Sequence, residues 1–181
     1  MMTTGPQFTS RVAARVVLLD PANRVLLFRY VEPWSRHAIW ATPGGGLEPG
    51  ETDAAAARRE VVEETGVTDV ALSPIIWTRE SIFDWGAQHV HQHERFFMAR
   101  IETWELPSTL WQAHQEEGIQ EHRWWTILEL ERATESIAPQ HLPKLLRALL
   151  AEGLPAQPID LGSEAIQRRY GHQSPARSPE P

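Results

Sequence analysis

The chain has 181 residues, of which 41% are hydrophobic, and this length and apolar content suit one domain with a single core. It contains no cysteine, which excludes disulfides, thiolate metal sites and cysteine nucleophiles. The formal net charge of -7 disfavours a nucleic acid polymer as partner, and an acidic protein that acts on a phosphate substrate needs bound cations to offset the repulsion.

Residues 1–9 form an N-terminal extension without the basic stretch and apolar run of a signal peptide, and no later window approaches the roughly 18 apolar residues of a membrane span. We therefore expect a cytoplasmic protein that does not enter a membrane. Two β-rich runs, 12–19 and 24–30, flank the turn sequence Asp20-Pro21-Ala22-Asn23. This pattern predicts a β-hairpin.

Prolines and glycines punctuate residues 31–50, which predicts a loop whose backbone bends sharply and can approach a ligand closely. Three of these glycines are candidate substrate-binding residues: Gly44, Gly45 and Gly46. A helix is predicted over 54–65, because it starts with four successive alanines, Thr52 or Asp53 can cap it, and Gly66 can end it.

The remaining pattern predicts strands at 71–77, 89–104 and 122–127, and helices at 127–133 and 139–152. Beyond residue 153, five prolines punctuate a mostly polar sequence. Residues 154–181 are therefore predicted to form a flexible tail, with a short helical turn around 163–169.

Three glutamates share one face of the first predicted helix. At about 100° per residue, Glu63 and Glu64 lie about 60° and 40° to either side of Glu60. Like charges at this spacing repel unless a cation lies among them, and such oxygen ligands suit Mg²⁺ or Mn²⁺. The alternative is a solvated acidic face, but the adjoining apolar residues Ala57 and Val61 favour an acidic face beside the core contact and near the glycines.

Residues 45–67 resemble the Nudix box, whose pattern is Gly, five residues, Glu, seven residues, then Arg-Glu-aliphatic-any-Glu-Glu-any-Gly-aliphatic. Every position is filled, by Gly45, Glu51, Arg59, Glu60, Val61, Glu63, Glu64, Gly66 and Val67. The flanking elements also fit the family's layout, which places the hydrolase domain at 10–153.

The resemblance implies an α/β (α+β) fold, the Nudix-type α/β/α sandwich with a mixed β-sheet. It implies hydrolysis of a diphosphate bond in a nucleoside diphosphate derivative, with Mg²⁺ or Mn²⁺ as cofactor. By the same resemblance Glu60, Glu63 and Glu64 are metal ligands, and Glu63 and Glu64 count as catalytic residues. Arg59 would hold a glutamate in place, and Glu51 would assist or be structural.

A further glutamate is a candidate general base. The segment Glu121-His122-Arg123-Trp124 resembles a place where many Nudix enzymes carry an additional metal-binding or general-base glutamate. Glu121 is therefore a candidate catalytic residue and Glu117 its rival, while ordinary solvent contact is the alternative for both.

Three histidines, His89, His91 and His93, alternate along a predicted strand and so share one face. Successive members lie roughly 6.6 Å apart, too far for all three to reach one zinc ion easily. We interpret them as a polar sheet face, of which one member could contact a substrate phosphate.

The chain contains eight tryptophans, and seven of them are interpreted in two groups. Four fall in or near predicted loops, where an indole could stack on a base, although core packing is favoured for any single one: Trp34, Trp40, Trp85 and Trp111. Of these, Trp34 and Trp85 are assigned to substrate binding. The tryptophans in predicted strands are expected in the core or on the sheet surface: Trp77, Trp104 and Trp124.

The expected substrate is a small phosphorylated molecule, with a nucleotide favoured. Ile82 stands where ADP-ribose enzymes of the family have a proline, and signatures of other branches are missing, so no branch is supported. Two alternatives stay open: a non-catalytic nucleotide-sensing domain, and an RNA 5′-end pyrophosphohydrolase, against which the acidic charge counts. The lack of cysteine disfavours a prenyl diphosphate isomerase, and a homodimer is left open.

Overall fold

A computed structural model of the chain describes residues 8–31, 37–85, 88–102, 104–116 and 118–165. Within these ranges one mixed sheet contains nine strands: β1 Phe8–Leu19, β2 Val25–Val31, β3 Ala38–Ala41, β4 Gly44–Gly46, β5 Trp77–Trp85, β6 Gln88–Arg100, β7 Ile119–Trp125, β8 Ser136–Ala138 and β9 Ile159–Ala165. The helices are α1 Asp53–Thr65, α2 Trp111–Glu116, α3 Ile127–Glu131 and α4 Leu142–Glu152, with a 3-10 turn at Ser108–Leu110.

The strand order is β8-β3-β2-β1-β6-β5-β9, with β4 pairing with β1 and β7 with β2. Strand β1 runs parallel to β6 and antiparallel to β2, so the sheet is mixed. Helix α1 lies on one side of the sheet and shares a core cluster with Ala14 and Val16 of β1. Helix α4 lies on the other side and shares a core cluster with Val17 and Leu19 of the same strand. This arrangement confirms the predicted α/β/α architecture. No helix in the described ranges has the length and apolar character needed to cross a membrane.

The predicted hairpin is confirmed. Leu19 of β1 pairs with Val25 of β2, and the turn closes through a hydrogen bond from the Asn23 amide to the Asp20 carbonyl at 3.0 Å. Asn23 has a φ of 59°, a left-handed conformation that asparagine tolerates better than most residues.

Two short strands lie where the sequence predicts only a loop. Strand β3 pairs with β2, and the three glycines of β4 pair antiparallel with β1. Glycine has a low strand propensity, so nothing local in the sequence signals β4. Its conformation depends on the partner strand, to which Gly44 is matched at Arg15 and Gly46 at Ala13.

Helix α1 confirms the prediction for 54–65. The Thr52 hydroxyl accepts a hydrogen bond from the Ala55 amide at 3.2 Å, which caps the first turn. Gly66 ends the helix with a φ of 75°. Ala57 and Val61 are fully buried against the sheet, which leaves the glutamate face beside this contact.

The prediction of a strand at 71–77 is wrong, because β5 begins only at Trp77. Ser73 instead contacts β6 through both its amide and its hydroxyl, which bond to the Met98 backbone at 2.8 and 2.9 Å. Pro74 follows and has no amide proton for a sheet ladder. The strands predicted at 89–104 and 122–127 correspond to β6 and β7 with shifted ends.

The chain beyond α4 differs from the predicted flexible tail. Strand β9 pairs in parallel with β5, so residues 163–165 are extended where a helical turn is predicted. The pairing satisfies backbone groups along the β5 edge, a gain that local sequence does not reveal. Residues 166–169, the rest of that turn, lie outside the described residues.

Candidate active site

A cavity of about 600 Å³ is lined by residues of α1, of β4 and of one side of the sheet. Its walls include the three helix glutamates and the three glycines of β4: Glu60, Glu63, Glu64, Gly44, Gly45 and Gly46. The structure therefore brings the predicted metal ligands and the predicted substrate-binding glycines together.

Glu64 is the most buried of the three carboxylates, with 3% of its surface exposed. It accepts hydrogen bonds from the Gly44 amide and the Tyr30 hydroxyl, both at 2.8 Å. Burial disfavours the charged carboxylate and raises the pKa of Glu64 to about 8, even though the Tyr30 hydrogen bond acts in the opposite direction. A nearby cation would stabilise the charged carboxylate of Glu64 and so offset the unfavourable effect of its burial.

Glu60 lies against the backbone of β4. A Cβ on Gly45 would fall 2.4 Å from Glu60 Oε1, so a larger residue at this position would force the Glu60 carboxylate to move. Burial also raises the pKa of Glu60, although Arg59 opposes the shift.

Arg59 connects three box carboxylates. Its guanidinium contacts Glu51 at 2.9 Å, Glu60 at 2.7 Å and Glu63 at 3.1 Å. It also donates to the Gly46 carbonyl at 2.9 Å. Arg59 therefore contacts Glu63, as its spacing predicts, and Glu51 fixes the guanidinium from the other side.

This donor set fits a hard divalent cation. Three carboxylates line one cavity, and the pKa values of Glu64, which is buried, and of Glu60, which is half-buried, are raised by desolvation, an effect that a dication would offset. Glu60, Glu63 and Glu64 are thus the residues that could hold Mg²⁺ or Mn²⁺.

The sheet adds a polar wall that the sequence analysis missed. Buried Glu94 forms ion pairs with Arg15, at 3.0 Å, and with Arg79, and Arg15 also donates to the Gly44 carbonyl at 2.6 Å. Burial opposes ionisation of Glu94, but the two arginines lower its pKa below the usual value. Gln92 joins this network through Glu94 at 2.9 Å.

A signal for this wall exists in the sequence. Arg79, Ser81 and Phe83 alternate along β5, and Gln92 and Glu94 alternate along β6, so each set points to one side of the sheet. All five line the cavity. The alternation could have indicated that the residues of each set share one side of their strand, but not that the two sets line one cavity.

The candidate general bases lie in different places. Glu121 is exposed on β7, opposite Arg29 of β2, and is not among the described residues that line the cavity. Glu117 lies outside the described residues, whereas its neighbour Glu116 lines the cavity from α2. Glu116 is thus a further candidate for the general base.

Among the described tryptophans that the sequence analysis interprets, two are buried in the core. Trp40 is 4% exposed, packs edge-on against Trp125 and donates to Glu135, which confirms core packing for this residue and excludes stacking on a base. Trp77 is buried in the core as predicted. Trp34 lies outside the described residues, and the side chains of Trp85 and Trp111 are not described.

Comparison with known proteins agrees with the fold and the box. The NUDIX domain family model matches residues 9–147. Two relatives are named RNA pyrophosphohydrolase. The protein of Novosphingobium aromaticivorans is 28% identical over 75% of this chain and 82% of its own length, and that of Erythrobacter litoralis is 29% identical over 75% and 80%.

Solved structures show the same fold at low identity. The MutT protein of Methanosarcina mazei superposes with a TM-score of 0.58 at 18% identity, covering 82% of this chain and 98% of its own. The NUDIX domain of Shewanella oneidensis NrtR, solved with ADP ribose, gives a TM-score of 0.58 at 15% identity over 79% and 90%. The family match, together with the complete box, shows that the chain belongs to the NUDIX domain family and is a Nudix hydrolase.

Proposed function

We propose that the protein hydrolyses a diphosphate bond in a nucleotide by a divalent-metal-dependent attack of water on phosphorus. One observation carries this proposal: Glu60, Glu63 and Glu64 line the same cavity as the arginines of the sheet. The carboxylates supply sites for metal ions, and the arginines supply positive charge for phosphates in an otherwise acidic protein.

Glu60, Glu63 and Glu64 would hold the metal ions. Bound Mg²⁺ or Mn²⁺ would polarise phosphoryl oxygens and lower the pKa of a water molecule. Arg59 keeps Glu60 and Glu63 in place through its contacts at 2.7 and 3.1 Å, and Gly44 does the same for Glu64. No covalent bond between enzyme and substrate is needed.

The opposite part of the cavity offers a surface for the base. The Arg11 guanidinium lies 5.5 Å above the Phe83 ring, and both residues line the cavity. An aromatic ring and a guanidinium each provide a flat face on which a base can stack. Because Phe83 is only 7% exposed and Arg11 covers its ring, we assign base binding to the exposed Arg11 guanidinium, which Phe83 supports from beneath, while stacking by Trp34 and Trp85 stays a prediction.

The favoured substrate is a small nucleotide, free or linked through its diphosphate to another group. A cavity of about 600 Å³ is in the range that encloses one small ligand. The net charge of -7 discourages long polyanions. We also propose a cytoplasmic location, and a homodimer stays a prediction.

RNA with a 5′-triphosphate is the second candidate substrate, because the two relatives described above are named RNA pyrophosphohydrolase. The cavity would then hold only the terminal nucleotide. Against this, the acidic chain offers less attraction to the phosphates that follow.

A substrate panel with Mg²⁺ and with Mn²⁺ separates these possibilities. It should contain nucleoside triphosphates, dinucleoside polyphosphates, nucleotide sugars, inorganic diphosphate and a 5′-triphosphorylated RNA oligonucleotide. We expect a small nucleotide to have the highest kcat/KM. Preference for the RNA would select the second candidate, and binding of a nucleotide without turnover would indicate a sensing domain.

Base stacking has its own test. Replacing Arg11 by alanine should weaken binding of the best nucleotide by roughly tenfold or more, because a stacked base contributes about 1 to 3 kcal/mol. Replacing Phe83 by leucine should also weaken binding, because the aromatic ring beneath the Arg11 guanidinium is lost. Leucine retains the apolar volume of this buried side chain. If Phe83→Leu bound the nucleotide like the wild type, Phe83 would serve packing alone.

A further inference from the structure

Strands β5 and β6 carry a second group of chemically active side chains, away from the cavity. Gln92 and Glu94 of β6 line the cavity, so His91 and His93, which alternate with them along the strand, lie on the other side of the sheet. The β5 residue opposite His93 is Glu80, which shares this side. Glu80, His91 and His93 have no role in the proposed catalysis.

These three side chains converge on one point. The Glu80 carboxylate contacts His91 Nε2 at 3.0 Å and His93 Nδ1 at 3.4 Å, through different oxygens. One ligand atom from each residue can be chosen so that all lie within 4.8 Å of one another. In a tetrahedral zinc site with bonds of about 2.1 Å, neighbouring ligand atoms lie about 3.4 Å apart. The two distances from Glu80 to the histidines are close to this spacing, and the ligand atoms of the two histidines lie within 4.8 Å of each other.

The group is also open to an ion from solvent. The exposed fractions of the side chains are 47% for Glu80, 31% for His91 and 34% for His93. The nearest arginine along this side of β6 is Arg95, and its guanidinium pairs with Asp53 of α1 at 3.4 Å. Its positive charge is therefore partly offset.

We propose that Glu80, His91 and His93 form a binding site for a transition-metal dication of the zinc type. Two imidazoles and one carboxylate bind ions of this type more readily than they bind Mg²⁺, because Mg²⁺ selects oxygen ligands. Three protein ligands leave the fourth position to water. The sequence pattern pointed only to the three histidines of one strand, whereas in the structure the third member of the group is Glu80 of the neighbouring strand and not His89.

A metal at this site would link β5 to β6 directly behind the polar wall of the cavity. Arg79 and Ser81 flank Glu80 on β5, and Gln92 lies between the two histidines on β6. All three of these neighbours line the cavity. The ion would thus stabilise the two strands, and this role does not depend on the proposed catalytic function.

The test is a calorimetric titration of the full chain with Zn²⁺, after chelator treatment and removal of any histidine tag. Excess Mg²⁺ is present throughout to occupy the carboxylates of α1. We expect one Zn²⁺ per chain. A hundredfold excess over Kd should raise the melting temperature by roughly 5 °C or more.

The variants are His91→Ala, His93→Ala and Glu80→Gln, with His89→Ala as a matched control on the same side of β6. Loss of a ligand should weaken zinc binding by at least about tenfold, whereas His89→Ala should bind like the wild type. Metal-free melting temperatures show that each variant folds, and the visible spectrum of bound Co²⁺ reports nitrogen ligands independently. The proposal is overturned if His91→Ala and His93→Ala retain wild-type zinc affinity. It is also overturned if the wild type binds no zinc, or if Glu64→Gln removes zinc binding while His91→Ala does not.

Discussion

The carboxylate of Glu64 accepts a hydrogen bond from the backbone amide of Gly44, with 2.8 Å between Oε2 and N. Gly44 has a φ of 135°, and a Cβ at this position would lie 2.1 Å from the Ala14 carbonyl oxygen. The contact therefore ties the most buried carboxylate of the cavity to a backbone position that only glycine can occupy.

Replacing Gly44 by alanine should disrupt β4 and the cavity together. The added Cβ clashes with β1, and the backbone is strained, so we expect a loss of at least roughly 3 kcal/mol in the free energy of unfolding. Urea denaturation measures this. Gly46→Ala is the matched control, because the nearest atom to its Cβ is 3.9 Å away. Equal free energies of unfolding for the two variants would contradict the conclusion that only glycine can occupy position 44.

Arg59→Lys should impair metal binding without unfolding the protein. A lysine ammonium cannot contact Glu51, Glu60 and Glu63 at once as the guanidinium does. We expect turnover to fall by about 10- to 100-fold and the half-saturating Mg²⁺ concentration to rise. Initial rates across a Mg²⁺ series measure both. Arg58→Lys, at the exposed neighbouring position, should behave like the wild type.

The general base can be identified by comparing Glu116→Gln with Glu121→Gln. A residue that activates water must be deprotonated, so its loss should remove the acidic limb of the pH profile of kcat and lower kcat by about a hundredfold or more. Because Glu116 lines the cavity and the exposed Glu121 does not, we expect this effect from Glu116→Gln. If only Glu121→Gln showed it, the assignment made from sequence would hold instead.

The pH dependence of stability should include a contribution from Glu135. Hydrogen bonds from Arg29, at 2.5 and 2.8 Å, together with Trp40 lower the pKa of Glu135 to about 2. A lowered pKa stabilises the fold above the ordinary value of 4.5, and the stabilisation disappears as the pH falls towards 2. Because solvent screens this partly exposed pair, we expect about 1 kcal/mol at pH 7.

Glu135→Gln tests this expectation. The variant should be less stable than the wild type at pH 7, and the difference should shrink between about pH 4.5 and pH 2. Urea denaturation at several pH values gives the comparison. A difference that stayed constant down to pH 2 would show that the charge on Glu135 does not stabilise the fold.

Local sequence was sufficient to predict α1 and the position of its carboxylates. The helix depends on neighbours in the chain, namely the Thr52 cap, the alanines and Gly66, and the spacing of the glutamates follows from helical geometry. The hairpin around Asn23 was equally predictable, because its turn residues lie between two apolar runs.

The polar wall of the cavity could not be predicted in the same way. Arg15 and Glu94 form an ion pair although 79 residues separate them in the chain, and only the parallel pairing of β1 with β6 brings them together. Strand β4 likewise exists because β1 offers a partner to residues with little strand propensity. Long-range pairing, not local pattern, determines these features.

The most direct test of the central claim is the Mg²⁺-dependent rate of diphosphate hydrolysis by Glu64→Gln, measured with the best substrate of the panel. Glu152→Gln makes the same chemical change at an exposed position of α4 and serves as the control. If the α1 carboxylates hold the metal ions, Glu64→Gln should lower kcat by at least about a hundredfold while circular dichroism stays unchanged. A folded Glu64→Gln enzyme with near wild-type turnover would contradict the account.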